Sequence, residues 1–299
     1  MSWPCWILAS AVFLAFYDLA KKASVRENAV LPVLLCSTIF GCAAFLLGLW
    51  ASGRFALVQS IDAGTFWLSA IKSTIVATSW IFTFCALRTL PISIATPIRA
   101  SAPALVFLIA FFLYGETPSP VQGLGMLTVF AGYFVFSWAG KHEGIDFFRN
   151  RAVWCAIGGM CCSALSAIWD KYLFQVQKLQ VETVQFLFQI GLVVVYGVIL
   201  LVTTAFRRLH ALPASGHRFQ WRGTIPLVGI LLAGADWLYF HGISGEDVPI
   251  SVASLMRRFS VVITFLLGAK FFHEKNLLRK GLALSAILLG VILLCLGKC

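Results

Sequence analysis

Apolar runs of helical length alternate with short polar breaks along the whole chain. They cover residues 3–20, 30–51, 65–87, 92–114, 119–139, 152–174, 183–206, 223–244, 249–272 and 277–297. Each is close to the roughly 20 residues that an α-helix needs to cross the hydrocarbon core of a bilayer. The pattern predicts an all-α membrane protein of ten transmembrane helices. The longest breaks, near 52–64, 140–151 and 207–222, are too short for a soluble catalytic domain. The N-terminal stretch MSWPCWILASAVFLAFYDLAKK has no basic leader and runs straight into a helix-length apolar segment. It reads as a retained first helix rather than a signal peptide.

Self-similarity organises these ten elements. PISIATPIRASAPALVFLIAFFLYGE, residues 91–116, aligns without gaps on PISVASLMRRFSVVITFLLGAKFFHE, residues 249–274. Pro91, Ile92 and Ser93 fall on Pro249, Ile250 and Ser251, Arg99 falls on Arg257, and Glu116 falls on Glu274. One helix earlier SWIFTF (79–84) aligns with DWLYFH (236–241), and FYDLAKK (16–22) aligns with IWDKYLF (168–174), which sets Asp18 against Asp170. The chain therefore divides into two five-helix repeats, 1–140 and 150–299, joined by the polar linker GKHEGIDFFRNR. Because five is odd, the second repeat enters the membrane upside down relative to the first, with substrate expected near the midplane where the repeats meet.

Two five-helix halves, each with a Gly-Glu or His-Glu turn ahead of a Gly-containing last helix, resemble the drug/metabolite transporter superfamily, and within it the EamA-type members. The pieces LYGETPSPVQGLG and FFHEKNLLRKGLA carry most of the likeness, which spans essentially the full chain. The resemblance implies a secondary transporter for a small molecule. The basic pair in RRFSVVIT is also similar to the phosphate-binding pair of plastid sugar-phosphate translocators. That similarity implies anion-binding roles for Arg257 and Arg258, a matching basic residue at Arg99 on the fourth helix, and a threonine at Thr83 on the third.

Charge sets the expected orientation. Fourteen Lys and Arg residues fall in the odd-numbered connections, against Arg54 and Lys178 in the even ones. By the positive-inside rule the odd connections are cytoplasmic and both termini lie on the other side. The expected location is the cell inner (plasma) membrane. A formal net charge of +11 is mostly accounted for by this edge, so no nucleic-acid partner is implied. Overall, 60% of the residues are hydrophobic and 12% charged, unlike a soluble domain. The nine cysteines lie mostly in apolar runs without zinc-type spacing and read as small buried hydrophobes.

The few charges inside the runs are the candidate chemistry. Arg257 lies eight residues past Pro249, about 12 Å along a helix, where an arginine costs about 2.5–3.5 kcal/mol on translocon-insertion scales and usually faces a water-filled pathway. Arg257 and Arg99 are assigned to a central site by the repeat, with Arg258 at its edge. Leaving aside Lys270 near the end of its run, and Arg279 and Lys280, counted with the connection before theirs, five basic residues within the runs (Lys72, Arg99, Lys171, Arg257, Arg258) face three acidic ones (Asp18, Asp170, Asp236). Internal pairing cannot consume them all, so an anion is the natural remaining partner. The alternative is that the arginines tie helices together through Asp18, Asp170 or Asp236. Asp236 and His241 read either as a protonatable coupling pair or, for Asp236, as the counter-ion of Arg257. Lys72 and Lys171 read as helix-end side chains that snorkel. Trp80, Trp237 and Tyr239 are candidate cavity walls, and Glu116 and Glu274 are expected to cap the following helices.

These readings point to a secondary transporter for a small organic anion, phosphorylated metabolites included, working by alternating access, with protons or a counter-substrate as coupling partners. The alternative is an exporter of amino acids or amphiphilic amines. No enzymatic activity, cofactor or metal is expected: five scattered histidines form no helical His-Glu-x-x-His, and no phosphate-cradling Gly-rich loop is present.

Overall fold

A computed structural model describes residues 2–25, 28–58, 61–89, 102–115, 118–138, 151–210, 218–245 and 248–264, with isolated positions of the last run. Nine helices are described over these residues: α1 Trp3–Val25, α2 Val30–Ala51, α3 Ala63–Thr89, α4 Ala102–Tyr114, α5 Pro120–Trp138, α6 Arg151–Lys171, α7 Val181–Leu209, α8 Thr224–Ile243 and α9 Ile250–Arg257. A short 3₁₀ turn, Phe55–Val58, follows α2, and a π-helical turn, Tyr172–Val176, continues α6. Among the described residues five helices are long and apolar enough to cross a membrane by length and composition: α1, α2, α6 with its π turn, α7 and α8. Arg99, Glu116, Glu274, the linker after 138 and most of the last predicted run lie outside the described residues.

Helices α1–α4 pack chiefly on α6–α9 rather than on one another. The main pairings are α1 on α8, α3 on α6, α2 on α7 and α8, α3 on α7, α4 on α6 and α9, and α9 on α1, whereas α1 and α2 barely touch. This pattern is unchanged when α1–α4 are exchanged with α6–α9. The α1–α8 contact becomes α6–α3, α2–α8 becomes α7–α3, α9–α1 becomes α4–α6, and α2–α7 and α4–α9 map onto themselves. A serine closes each of the two equivalent crossings, though the two serines are not counterparts under the exchange. Ser10 donates to the Ala235 carbonyl (2.6 Å) across α1 and α8, and Ser79 donates to the Gly159 carbonyl (2.8 Å) across α3 and α6. Interhelical bonds of this kind average about 0.6 kcal/mol in a membrane.

The polarity of α7 is turned inward. Glu182, Gln185, Gln189, Leu192 and Tyr196 recur at spacings of three and four, so they share one face, and all five are buried. Val194, Val198, Leu201 and Val202 on other faces are exposed, as a helix surrounded by lipid requires. Where α2 crosses α8 the backbones meet at Gly41 and Gly229. A Cβ on Gly229 would fall on the Ser37 carbonyl, and one on Gly41 would lie 2.7 Å from the Gly229 oxygen.

The two sets of connections occupy opposite edges. The side-chain amide of Asn28, between α1 and α2, donates to the Gln220 carbonyl ahead of α8 (2.7 Å) and accepts from the Gln220 amide (2.8 Å), and Ser24 meets Thr224 at 2.6 Å. At the other edge Arg54, after α2, lies 3.5 Å from Glu182 in the first turn of α7. Odd connections thus meet odd ones, and even connections meet even ones.

One helix departs from expectation. The run 249–272 was expected to be continuous, yet α9 ends at Arg257, with Arg258 as its C-cap. The chain tightens there: Arg258 and Phe259 donate to Leu255 and Met256 (both 3.0 Å), and Val261 donates back to Arg258 (2.9 Å), before helical geometry resumes at Ser260–Thr264. No Gly or Pro marks this break.

Asp62 caps α3, accepting from the Thr65 amide at 3.0 Å and from the Thr65 hydroxyl. The Thr65 bonds hold its carboxyl below the usual carboxylate range. Its contribution to stability is therefore present above the ordinary carboxylate pKa and lost as pH falls through the lowered value.

The glycine crossing makes a direct prediction. Gly229→Ala should lower thermal stability in detergent by about 1–3 kcal/mol, as overpacking does. Gly48→Ala, where a Cβ meets nothing within 4 Å, should leave the melting temperature near wild type.

Candidate functional site

Two buried ion pairs occupy the interior. On α8, Asp236 receives the Nη2 of Arg257, whose guanidinium lies 4.2 Å from the centre of the Tyr239 ring. Between α3 and α6, Lys72 donates to Asp170. Its ammonium also sits against the Phe188 and Phe240 rings, at 4.7 and 4.4 Å from their centres. Asp170 is within electrostatic reach of Arg257 and Asp236, and Tyr239 is within reach of both arginines. The two pairs therefore form one charged cluster rather than two isolated ties.

The expectation for Lys72 is corrected. It lies nine residues past the start of α3 and is 1% exposed, too deep and too enclosed to snorkel. Burial of a lysine at such depth requires a partner, and Asp170 supplies it. Lys171, by contrast, lies in the last turn of α6 with its ammonium 4.5 Å from the Tyr114 ring.

The two arms of the cluster differ in what they leave open. Lys72 is closed in by its carboxylate and two aromatic faces. Arg257 retains 20% side-chain exposure, and its buried Nε has no hydrogen-bond partner. The break in α9 places Arg257 in a last helical turn, where a cation complements the exposed carbonyls. On its far side Asp236 lines a narrow cleft of about 20 Å³ between α2, α7 and α8, together with Ser37, Thr38 and Gln189. The hydroxyls of Ser37 and Thr38 donate to backbone carbonyls of their own helix. The Oε1 atoms of Gln185 and Gln189 are buried without donors. The cleft is walled mostly by Gly41, Phe188, Leu192, Gly229, Leu232 and Ala233, and its few polar groups, Asp236 and Gln189 among them, offer acceptors.

Other residues singled out from sequence are placed elsewhere. Trp80 stacks on Tyr196 of α7, with ring centres 6.3 Å apart at 18°. Thr83 is buried at the α3–α6 crossing, where its hydroxyl oxygen lies 2.8 Å from where a Cβ on Gly159 would stand. Trp237 lies edge-on to Trp6 and 4.3 Å from the His241 ring. Asp18 is half-buried on α1 and is drawn into neither ion pair. Asp236 and His241 do not act on a common partner: Asp236 faces Arg257, while His241 Nε2 lies 3.6 Å from Glu182 Oε1. Glu182, Gln185 and Gln189 were overlooked in the sequence, although their helical spacing on α7 signals a polar inward face.

Removing one member of the closed pair should be costly. Lys72→Met, which leaves Asp170 buried alone, is expected to lose about 3–5 kcal/mol of stability. Lys72→Met combined with Asp170→Leu should recover most of the melting temperature. Equal melting temperatures for the single and wild-type proteins would show that the pair carries no such load.

Residues 1–138 match the EamA-like transporter family. A crystal structure with 19% sequence identity shares the fold over 98% of this chain and 98% of its own, with a TM-score of 0.72. Comparison with curated protein sequences gives no match. The structural likeness is one of fold, and the family match covers the first 138 of the 299 residues: that stretch is similar to the EamA-like transporter family, and the chain is an α-helical integral membrane protein.

Proposed function

We propose that this protein is a transporter that carries a small organic anion by alternating access of its two five-helix halves, with Arg257 as the anchor. The observation that carries the reading is the state of Arg257. It is held at the end of a broken helix inside the bundle, bonded to a single carboxylate and left with an unpartnered Nε. Discontinuous helices that place a terminus at the midplane are a recurrent way of building substrate sites in secondary transporters. With Glu182 of α7 counted, four basic groups (Lys72, Lys171, Arg257, Arg258) face four acidic ones (Asp18, Asp170, Glu182, Asp236) among the described residues, so the anion reading rests on the open arm of Arg257 rather than on net charge. The exchange symmetry of the helix pairings supports motion of one half against the other.

The acceptors of Asp236 and Gln189 at this narrow, mostly apolar cleft favour a second reading, export of an amino acid or amphiphilic amine whose ammonium group would meet them. A thermal-shift screen of the purified protein against sugar phosphates, nucleotides, amino acids and amines separates the two. A ligand at 100 times its Kd adds about 2.7 kcal/mol to the folded state. Stabilisation by amines alone would overturn the anion reading.

The anchor is tested by substitution. Arg257→Ala should weaken anion binding tenfold or more, since a charge-assisted contact is worth about 1.5–3 kcal/mol. Arg257→Lys should recover part of the loss, because a point charge does not reproduce the planar fork. Arg258→Ala should cost less, and Arg99→Ala should resemble Arg257→Ala. Adding Asp236→Asn to Arg257→Ala removes the stranded carboxylate, so that lost binding is read apart from lost folding.

Orientation has its own test. In intact cells, after replacement of the native cysteines, a cysteine placed between Ala139 and Gly144 should be protected from impermeant reagents, and one appended after residue 299 should be labelled. The reverse pattern would place the odd connections outside.

A further inference from the structure

The polar groups on the far side of Asp236 surround a space the size of one small ion. The cleft between α2, α7 and α8 measures about 20 Å³, and Ser37, Thr38, Gln189 and Asp236 line it among apolar neighbours. A volume of that order holds a single water-sized occupant. All four polar residues are buried, none more than 6% exposed.

These side chains offer oxygen. The Ser37 hydroxyl already donates to the Leu34 carbonyl at 2.9 Å, and that of Thr38 to the Leu34 and Leu35 carbonyls at 3.0 and 2.9 Å. What remains on both is lone pairs. Gln189 Oε1 is buried and accepts from no donor, a costly state for an amide oxygen. Asp236 gives Oδ1 to Arg257, and an ionised carboxylate only accepts. A water brings two hydrogens to these four acceptors, whereas a bare cation serves all of them at once.

The donor set also selects the cation. Surroundings made only of oxygen suit a hard ion. One carboxylate, already shared with a guanidinium, offsets a single charge at most, so the ion is monovalent. The charges of the Lys72–Asp170 and Arg257–Asp236 pairs cancel. With so little net negative charge the affinity is low, which matches an ion abundant in the surrounding medium. The small volume favours sodium over the larger potassium.

We propose that Ser37, Thr38, Gln189 and Asp236 form a sodium site where α7 meets the crossing of α2 and α8. Sodium and Arg257 then share one carboxylate. An ion bound there weakens the hold of Asp236 on the guanidinium and leaves more of the Arg257 fork to an anion, so the two ligands favour each other equally in both directions. That coupling rests on the anion reading above. Sodium binding does not, and it is measured without any substrate.

Purified full-length protein in micelles reports the site through its melting temperature. NaCl replacing choline chloride at constant ionic strength should raise it along a saturating curve, and KCl should need a higher concentration for the same rise. No rise, or an equal one with KCl, would overturn the sodium site. Thr38→Val keeps the shape of the side chain and removes one oxygen. It should raise the half-saturating sodium concentration about tenfold, the scale of one contact to a charged group. Thr203→Val removes a hydroxyl bonded in the same way to its own helix, at Ile199, outside the cleft, and should leave the curve unchanged. Identical curves for Thr38→Val and wild type would show that these oxygens do not hold the ion. Arg257→Gln releases the shared carboxylate, so it should bind sodium about tenfold more tightly, the scale of losing a neighbouring like charge, and should gain more melting temperature from sodium than wild type does. An unchanged affinity in Arg257→Gln would refute the coupling. Sodium binding that persists while inorganic phosphate and organic anions fail to bind would count against the anion reading alone.

Discussion

Everything in this bundle depends on the absence of water in hydrocarbon. A charge that a soluble protein would leave to solvent must here find its partner inside the chain, or the helix that carries it does not sit in the membrane. The Lys72–Asp170 and Arg257–Asp236 pairs meet that demand, the first between helices far apart in the chain and the second between consecutive ones. Lys72 and Asp170 join α3 to α6, a pairing already sealed by Ser79 and Gly159. Arg257 and Asp236 join α9 to α8, which is itself fastened to α1 through Ser10. The ion pairs thus lie on the same contacts that the helix crossings create, and packing and electrostatics select one arrangement together.

The same constraint explains why the two pairs are not equivalent. A lysine is a point charge on a flexible stem, and once one carboxylate and two aromatic faces surround it little of its field remains to be used. An arginine is a fork with five donors, and a single carboxylate oxygen cannot satisfy it. The surplus at Arg257 is kept inside the bundle by the break in α9, which turns a mid-membrane position into a helix terminus. Pairing with Asp236 makes that arginine tolerable in the bilayer, and incomplete pairing leaves it chemically available.

Much of this architecture was legible in the sequence because it is written in local periods. The apolar runs gave the helices, as length against bilayer thickness requires, and the family likeness emerged from turn and helix motifs. Four features were not legible, for three reasons. Lys72 and Asp170 are 98 positions apart, and no local pattern announces their meeting. The break after Arg257 has neither Gly nor Pro to signal it; its tightened turn is visible only in the backbone bonds. Glu182 and His241 belong to different helix ends brought together by tertiary packing, so the proximity of His241 to Asp236 along α8 gives no hint of the Glu182 contact. The inward seam of α7 is a different case. Glu182, Gln185 and Gln189 share a helical face in the sequence itself, but a run otherwise so apolar drew attention to its lipid-facing side.

The seam of α7 and the residues of α8 together suggest how the halves communicate. On α8, Gly229 meets α2 by backbone, Ala235 accepts from α1, Asp236 holds α9, and His241 faces α7. On α7, Glu182 faces His241, Gln185 donates to the Ala233 carbonyl of α8 (3.3 Å), and Ser73 of α3 donates to Phe188 (3.1 Å). A displacement of the α8 end therefore cannot stay local: with helices this closely packed it is transmitted as a rigid shift. Along α8, Asp236 and His241 are about 7.5 Å apart at the helical rise. A change at the His241–Glu182 contact consequently acts on the helix that carries the counter-ion of Arg257, with no need for any longer chain of contacts between them.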